Sequence, residues 1–103
     1  MILELAILNV RPGQEAAFEA AMRKARPLIE ATQGFVSIDL RRCVETPNRY
    51  LLLVSWTALE DHTIGFRQSH RYEQWRELLH HFYDPFPTVE HYVDCLLYTS
   101  RCV

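Results

Sequence analysis

Four short stretches of this chain are rich enough in apolar residues on one or both faces of a period-two pattern to read as strands, and two longer ones carry a helical period. From Ile2 to Val10 the pattern predicts a strand, with Leu3, Leu5 and Ile7 on one face and Glu4, Ala6 and Leu8 on the other. Arg11-Pro12-Gly13 is a turn. A helix is predicted over residues 14–32, because Phe18, Met22, Ala25 and Ile29 recur at helical spacing. Pro27 should kink it or split off its last turn, and Gly34 is placed to end it with a left-handed residue. Residues 35–44 read as a second strand, in which Val36, Ile38 and Leu40 alternate with Ser37, Asp39 and Arg41. After the polar turn Glu45-Thr-Pro-Asn48, residues 50–56 form a third strand that is apolar on both faces, which predicts a covered, central position.

The third strand runs into a helical region over residues 58–82, where Gly65 and Ser69 offer breaks and Ser69 a cap for a second piece. Thr57 and Glu60 have the spacing of a capping box, Thr57 accepting from a first-turn amide and Glu60 from the amide of Thr57. Residues 84–87 are a rigid linker, and residues 89–97 a fourth strand with Val89, His91 and Val93 on one face. The order β-α-β-β-α-β with right-handed crossovers gives an α+β, ferredoxin-like fold: a four-stranded antiparallel sheet with both helices on one face. Because strand three is apolar on the bare side too, the expected state is a homodimer packed sheet to sheet, a dimeric α+β barrel. One domain is expected over residues 1–94. Residues 95–103 continue no alternation and read as a C-terminal extension or a cloning or assembly scar.

Composition narrows the partners. At 103 residues the chain has the size of one domain, and 49% hydrophobic with 23% charged residues is an ordinary globular balance. A formal charge of −2 with scattered basic residues excludes the usual nucleic-acid footprint and an anionic membrane surface. No apolar run is long enough to span a bilayer, and residues 1–10 lack signal-peptide features, so the cytoplasm is the expected compartment. Cys43, Cys95 and Cys102 are odd in number and widely spaced, which fits free thiols. No metal-ligand motif appears, the three glycines form no phosphate loop, and no Ser or Cys has the setting of a nucleophile.

The candidate chemistry lies between Arg49 and Phe82. His62, near the start of the second helical region, has the right intrinsic pKa to take a phenolic proton; a half-buried His bonded to a neighbour fits the same residue. Tyr72 and Trp75 share a helix face and can stack on a ring and donate through phenol and indole, or simply pack. Trp56 and Phe66 supply wall or core. His70, eight residues after His62, fits the same face or solvent. His91 partners His62 if its strand face meets the helices and is structural if it faces a second copy. His80-His81 cannot chelate one metal from a regular helix and reads as an exposed helix end. Glu4 is expected at the surface; in an apolar slot its pKa would rise and it could act as a base.

Several of these residues resemble the antibiotic biosynthesis monooxygenase family: Gly34-Phe35 opening strand two, Trp56 closing strand three, Glu60-Asp-His62, Phe66-Arg-Gln-Ser69, Tyr72, Trp75 and Val89-Glu-His-Tyr92. The likeness spans the chain up to Asp94. It implies a small dimeric α+β barrel, with oxygenation of a quinol or polyphenol by dioxygen and no cofactor, the protein supplying an apolar slot and a base. In that implied role His62, Tyr72 and Trp75 are catalytic, and Trp56, Phe66, His70 and His91 bind the small aromatic substrate. A haem-degrading branch uses an Asn, a Trp and a His; ungapped matching puts those positions on Ala6, Phe66 and Arg76, and all three differ. Arg76 is no axial iron ligand. Other expectations on this fold are a non-catalytic small-ligand or stress-related dimer and an isomerase.

Overall fold

The structure is a computed structural model that describes residues 1–96. Four strands, β1 (Ile2–Asn9), β2 (Phe35–Arg42), β3 (Arg49–Trp56) and β4 (Val89–Tyr92), form one antiparallel sheet in the order β2-β3-β1-β4. Helices α1 (Glu15–Glu30) and α2 (His70–Leu79) pack side by side on one face. This is the ferredoxin-like α+β fold.

The face chosen by each strand follows from what the helices need to bury. On β1, Ala6 and Leu8 go inward beside Glu4; on β3, Tyr50, Leu52, Val54 and Trp56 do the same. The α1 stripe of Phe18, Met22, Ala25 and Ile29 closes on them as the spacing predicts. Phe18 sits among Tyr50, Phe82 and Tyr83, at ring separations of 4.9, 5.8 and 6.0 Å. Each such side chain contributes roughly 1.5–3 kcal/mol on burial. The opposite face presents Leu3, Leu5, Ile7, Leu51 and Leu53, half-buried or exposed, with Leu5 opposite Leu53 and Ile7 opposite Leu51.

Several expectations change in detail. Helix α1 continues past Pro27 to Glu30 without losing a turn. The ring lies on the exposed side of the helix, where the carbonyl it leaves unpaired meets water. Val36 is 46% exposed instead of inward, because a bulge between Phe35 and Ser37 takes it out of the alternation. Strand β4 stops at Tyr92, short of residue 97. Of residues 95–103, Cys95 and Leu96 are exposed and the rest lie outside the described residues.

The corner after β3 also differs. Thr57 gives its amide to the Gly34 carbonyl at 2.8 Å, so Glu60 has nothing to bond there and the capping box does not form. Asp61 does the work: its carboxylate accepts from the Ala58 amide at 3.0 Å. The chain then makes a π-helical turn, Asp61–Phe66, before α2 starts afresh at Ser69, whose hydroxyl accepts from the Tyr72 amide at 3.2 Å.

Candidate functional site

The π-helical turn buries His62 and Phe66, four residues apart, against the end of the sheet. His62 lies nearly parallel to the Trp56 indole, 5.4 Å centre to centre and inclined by 19°. Its ring is 3% exposed. On one side its Nδ1 is 2.8 Å from Nε2 of His91; on the other its Nε2 is 3.4 Å from Oε1 of Glu4. The Trp56 indole N–H donates to that same Oε1 at 2.9 Å. Glu4 and His91 stand directly opposite one another on β1 and β4, so the strand register puts both on the helix-facing side. His91 therefore partners His62.

Donors and acceptors fit one arrangement. Trp56 can only donate, so Oε1 accepts. With the His62 proton on Nε2, that nitrogen also faces Glu4 as a donor, and Nδ1 accepts from His91. The result is a chain Glu4–His62–His91 running from the interior toward the half-buried edge strand. His62 is neutral in this chain: burial, then the charge of Arg67, then His91 push its pKa from 6.5 to about 3. A 3.4 Å approach to Glu4 is too long for a charge-assisted bond that would reverse this. Burial also pushes the Glu4 carboxyl above its ordinary value, against the Trp56 N–H and the Arg67 charge. His91 is lowered by burial and by Arg67. Glu4 and His91 meet opposite nitrogens of His62, so the three do not converge on a point. Among the described residues no group of His, Cys, Asp or Glu is arranged to hold a metal ion.

Beside the chain lies a cavity of about 350 Å³ between α2 and the sheet, within the ordinary size of small-molecule sites. Phe66, Tyr72 and Trp75 form one wall; Phe66 meets the other two rings edge-on at 5.4 and 5.6 Å. Ala6, Leu8 and Leu52 form the floor, and Tyr83, Phe86 and Pro87 the far rim. Glu4 borders it through a carboxylate whose Oε2 has no hydrogen-bond partner among the described residues. Among the described residues the one fully buried side-chain polar atom without a partner is Arg71 Nε, away from the cavity, so the unpartnered Oε2 of Glu4 is not sealed off.

The expected site residues thus separate. His62, Phe66, Tyr72 and Trp75 line the cavity; His91 and Trp56 support His62 from behind, Trp56 fully buried. His70 does not belong. Its side chain is 83% exposed and paired with Glu73 at 3.1 Å. Counting eight residues from His62 assumed one continuous helix, and the π-helical turn with the Ser69 break resets the phase. Glu4 is the converse case, 5% exposed where the surface was expected. His80 is no exposed helix end either: it is half-buried, borders the cavity, and burial and Arg76 hold it below the ordinary His range. Arg67, quoted only within the run Phe66-Arg-Gln-Ser69, and Tyr83 had been given no role; burial, then Tyr72, push the Tyr83 phenol upward, so it stays protonated.

The fold and cavity define a small ferredoxin-like α+β protein with a ring-sized, aromatic-walled site and a buried carboxylate–imidazole chain. Residues 1–78 match the model of the antibiotic biosynthesis monooxygenase family, and the chain belongs to that family. It is similar to YczJ, an uncharacterised protein of Bacillus subtilis, with 50% identity over 94 residues, covering 91% of this chain and 99% of that one. A crystal structure from Bordetella bronchiseptica, assigned to the same family, is 39% identical, with a TM-score of 0.87 over 92% of this chain and 97% of that chain. SnoaB, a cofactor-independent oxygenase from Streptomyces nogalater, is 19% identical, with a TM-score of 0.74 over 97% of this chain and 96% of that chain; at that identity the likeness is one of fold.

Proposed function

We propose that the protein is a cofactor-independent monooxygenase acting on a small hydroxylated aromatic ring, a quinol or polyphenol. The observation that carries this reading is the Glu4–His62–His91 chain on the border of a cavity walled by Phe66, Tyr72 and Trp75. The ring lies against that wall and gives up a hydroxyl proton to the chain. The electron-rich anion reduces dioxygen and combines with it as a ring hydroperoxide. Loss of water leaves a new ring carbonyl, so one oxygen atom stays on the product, the other leaves as water, and the ring supplies every electron. Neutral His62, donating toward Glu4 and accepting from His91, holds the carboxylate in place while Glu4 itself takes the proton. SnoaB, with the same fold, is named for chemistry of this kind.

The functional unit in this reading is a homodimer that covers Leu3, Leu5, Ile7, Leu51 and Leu53 of each sheet. Oxygen uptake with a panel of hydroquinones and polyphenols tests the activity. Uptake should fall roughly 10²–10⁴-fold in Glu4→Gln, the usual range for loss of a general base. Saturable binding with no uptake by the wild type would make this a binding protein, and turnover under argon an isomerase.

A further inference from the structure

The cavity holds an unusual charge inventory. Glu4 is its one acid and Arg67 its one guanidinium among the lining residues; the two histidines that border it, His62 and His80, are neutral, and Tyr83 is held protonated. Arg67 lies exposed at the mouth, with no hydrogen-bond partner for its side chain among the described residues, and its charge acts on Glu4, His62 and His91 together. One fixed positive charge therefore stands opposite one movable negative charge.

We infer that the site selects a hydroxyaromatic that arrives electrically neutral and is ionised in place, its proton passing to Glu4 and its negative charge coming to face Arg67. This deepens the proposed activity and rests on it for the kind of ring. The balance is simple: the phenolic O–H bond breaks, an O–H bond forms on Glu4 Oε2, and no electron is transferred at this step. Before and after, the site has one anion inside and one cation at its mouth, so the count of charges does not change. A ring that already carries a carboxylate breaks this symmetry. It places two negative groups before one guanidinium, and a like charge at short range in a desolvated site is strongly disfavoured. It also holds Arg67 in a pair and removes the counter-charge that the new phenolate needs. The substrate class is thereby narrowed to uncharged quinols and phenols, with hydroxybenzoates excluded.

The test is anaerobic binding of hydroquinone and of 4-hydroxybenzoate, read from the fluorescence of Trp56 and Trp75, with wild type, Glu4→Gln and Arg67→Met. Gln keeps the side-chain oxygen that accepts from Trp56, and Arg67 is exposed, so both variants are compatible with the fold. Hydroquinone should bind the wild type at least tenfold more tightly than 4-hydroxybenzoate. Glu4→Gln should tighten 4-hydroxybenzoate at least tenfold, because Arg67 then has no competing anion. Arg67→Met should weaken it further. A second probe, 4-nitrophenol, should show more of its coloured phenolate when bound at pH 6 than free, and Arg67→Met should abolish the gain. Equal or tighter binding of 4-hydroxybenzoate by the wild type, an unchanged preference in Glu4→Gln, or no binding of either ring overturns the inference. Neutral-ring preference with no oxygen uptake in air sinks the oxygenase and leaves the selectivity; uptake with a carboxylate preference does the reverse.

Discussion

Acid should destabilise this protein through His62. In the unfolded chain the residue titrates near 6.5; in the fold it titrates at about 3, because burial, Arg67 and His91 all disfavour the cation. Below pH 6.5 the unfolded state binds a proton that the folded state refuses. The contribution of His62 is therefore fully present above pH 6.5 and lost progressively as pH falls toward 3. At pH 4.5 the gap spans about 2 pH units, which is about 3 kcal/mol at 1.36 kcal/mol per unit. For a domain whose total stability is of order 5–15 kcal/mol this is a large loss. His80 and His91, also lowered, act in the same direction, whereas raised Glu4 acts in the opposite one. The assay must isolate one residue, so urea and thermal unfolding of wild type and His62→Gln are compared at pH 7 and pH 4.5. The wild type should lose about 3 kcal/mol more than the variant, roughly 10–20 °C more in Tm for a domain of this size. If the wild type loses no more than His62→Gln, or gains, then His62 protonates within the fold and pairs with Glu4. The neutral chain would then be wrong.

Two further outcomes test the frame around the site. Gly34→Ala should cost about 2–4 kcal/mol in chemical denaturation, since Gly34 has φ +88° and a Cβ there would overlap the Asp61 side chain. Moving Asp61 also releases the Ala58 amide; stability within 0.5 kcal/mol of wild type contradicts this account of the corner. Leu53→Glu places a charge opposite Leu5 on the bare sheet face and should convert a dimer to a monomer in light scattering; an unchanged mass means that face is not the interface.

Much of the architecture was legible because strand and helix periods differ. The α1 stripe asks for one buried helix face, and β3, apolar on both faces, asks for the central position that it takes in the sheet. What the sequence hid was the choice between faces. On β1 both sets are apolar apart from Glu4 in one and the terminal Asn9 in the other, so a period of two cannot say which set meets the helices. Glu4 shared its face with small Ala6 and with Leu8, and that sharing was the available signal for an inward carboxylate. His91 was undecided for the same reason, and the register opposite Glu4 resolves it. His70 failed through phase: α2 is capped by Ser69 and begins at His70, which stands far round the helix from buried Trp75 and Leu79. His80, Arg67 and Tyr83 gave no pattern, because they reach the cavity from a helix end, a turn and a loop.

The site is exposed to errors of pairing more than to errors of packing. Its three linked groups come from β1, the π-helical turn and β4, and β4 is only four residues long at the edge of the sheet. A slip of one residue on β4 would carry His91 to the opposite face, since successive residues alternate sides, and in one of the two directions would bring Glu90 beside Glu4. Two carboxylates would then face each other in a desolvated place, an arrangement that penalises the slip strongly. The buried acid thus opposes that slip and favours the register that brings His91 to His62. Glu90 and Tyr92 are bonded to each other at 2.9 Å within the same strand, on its far side.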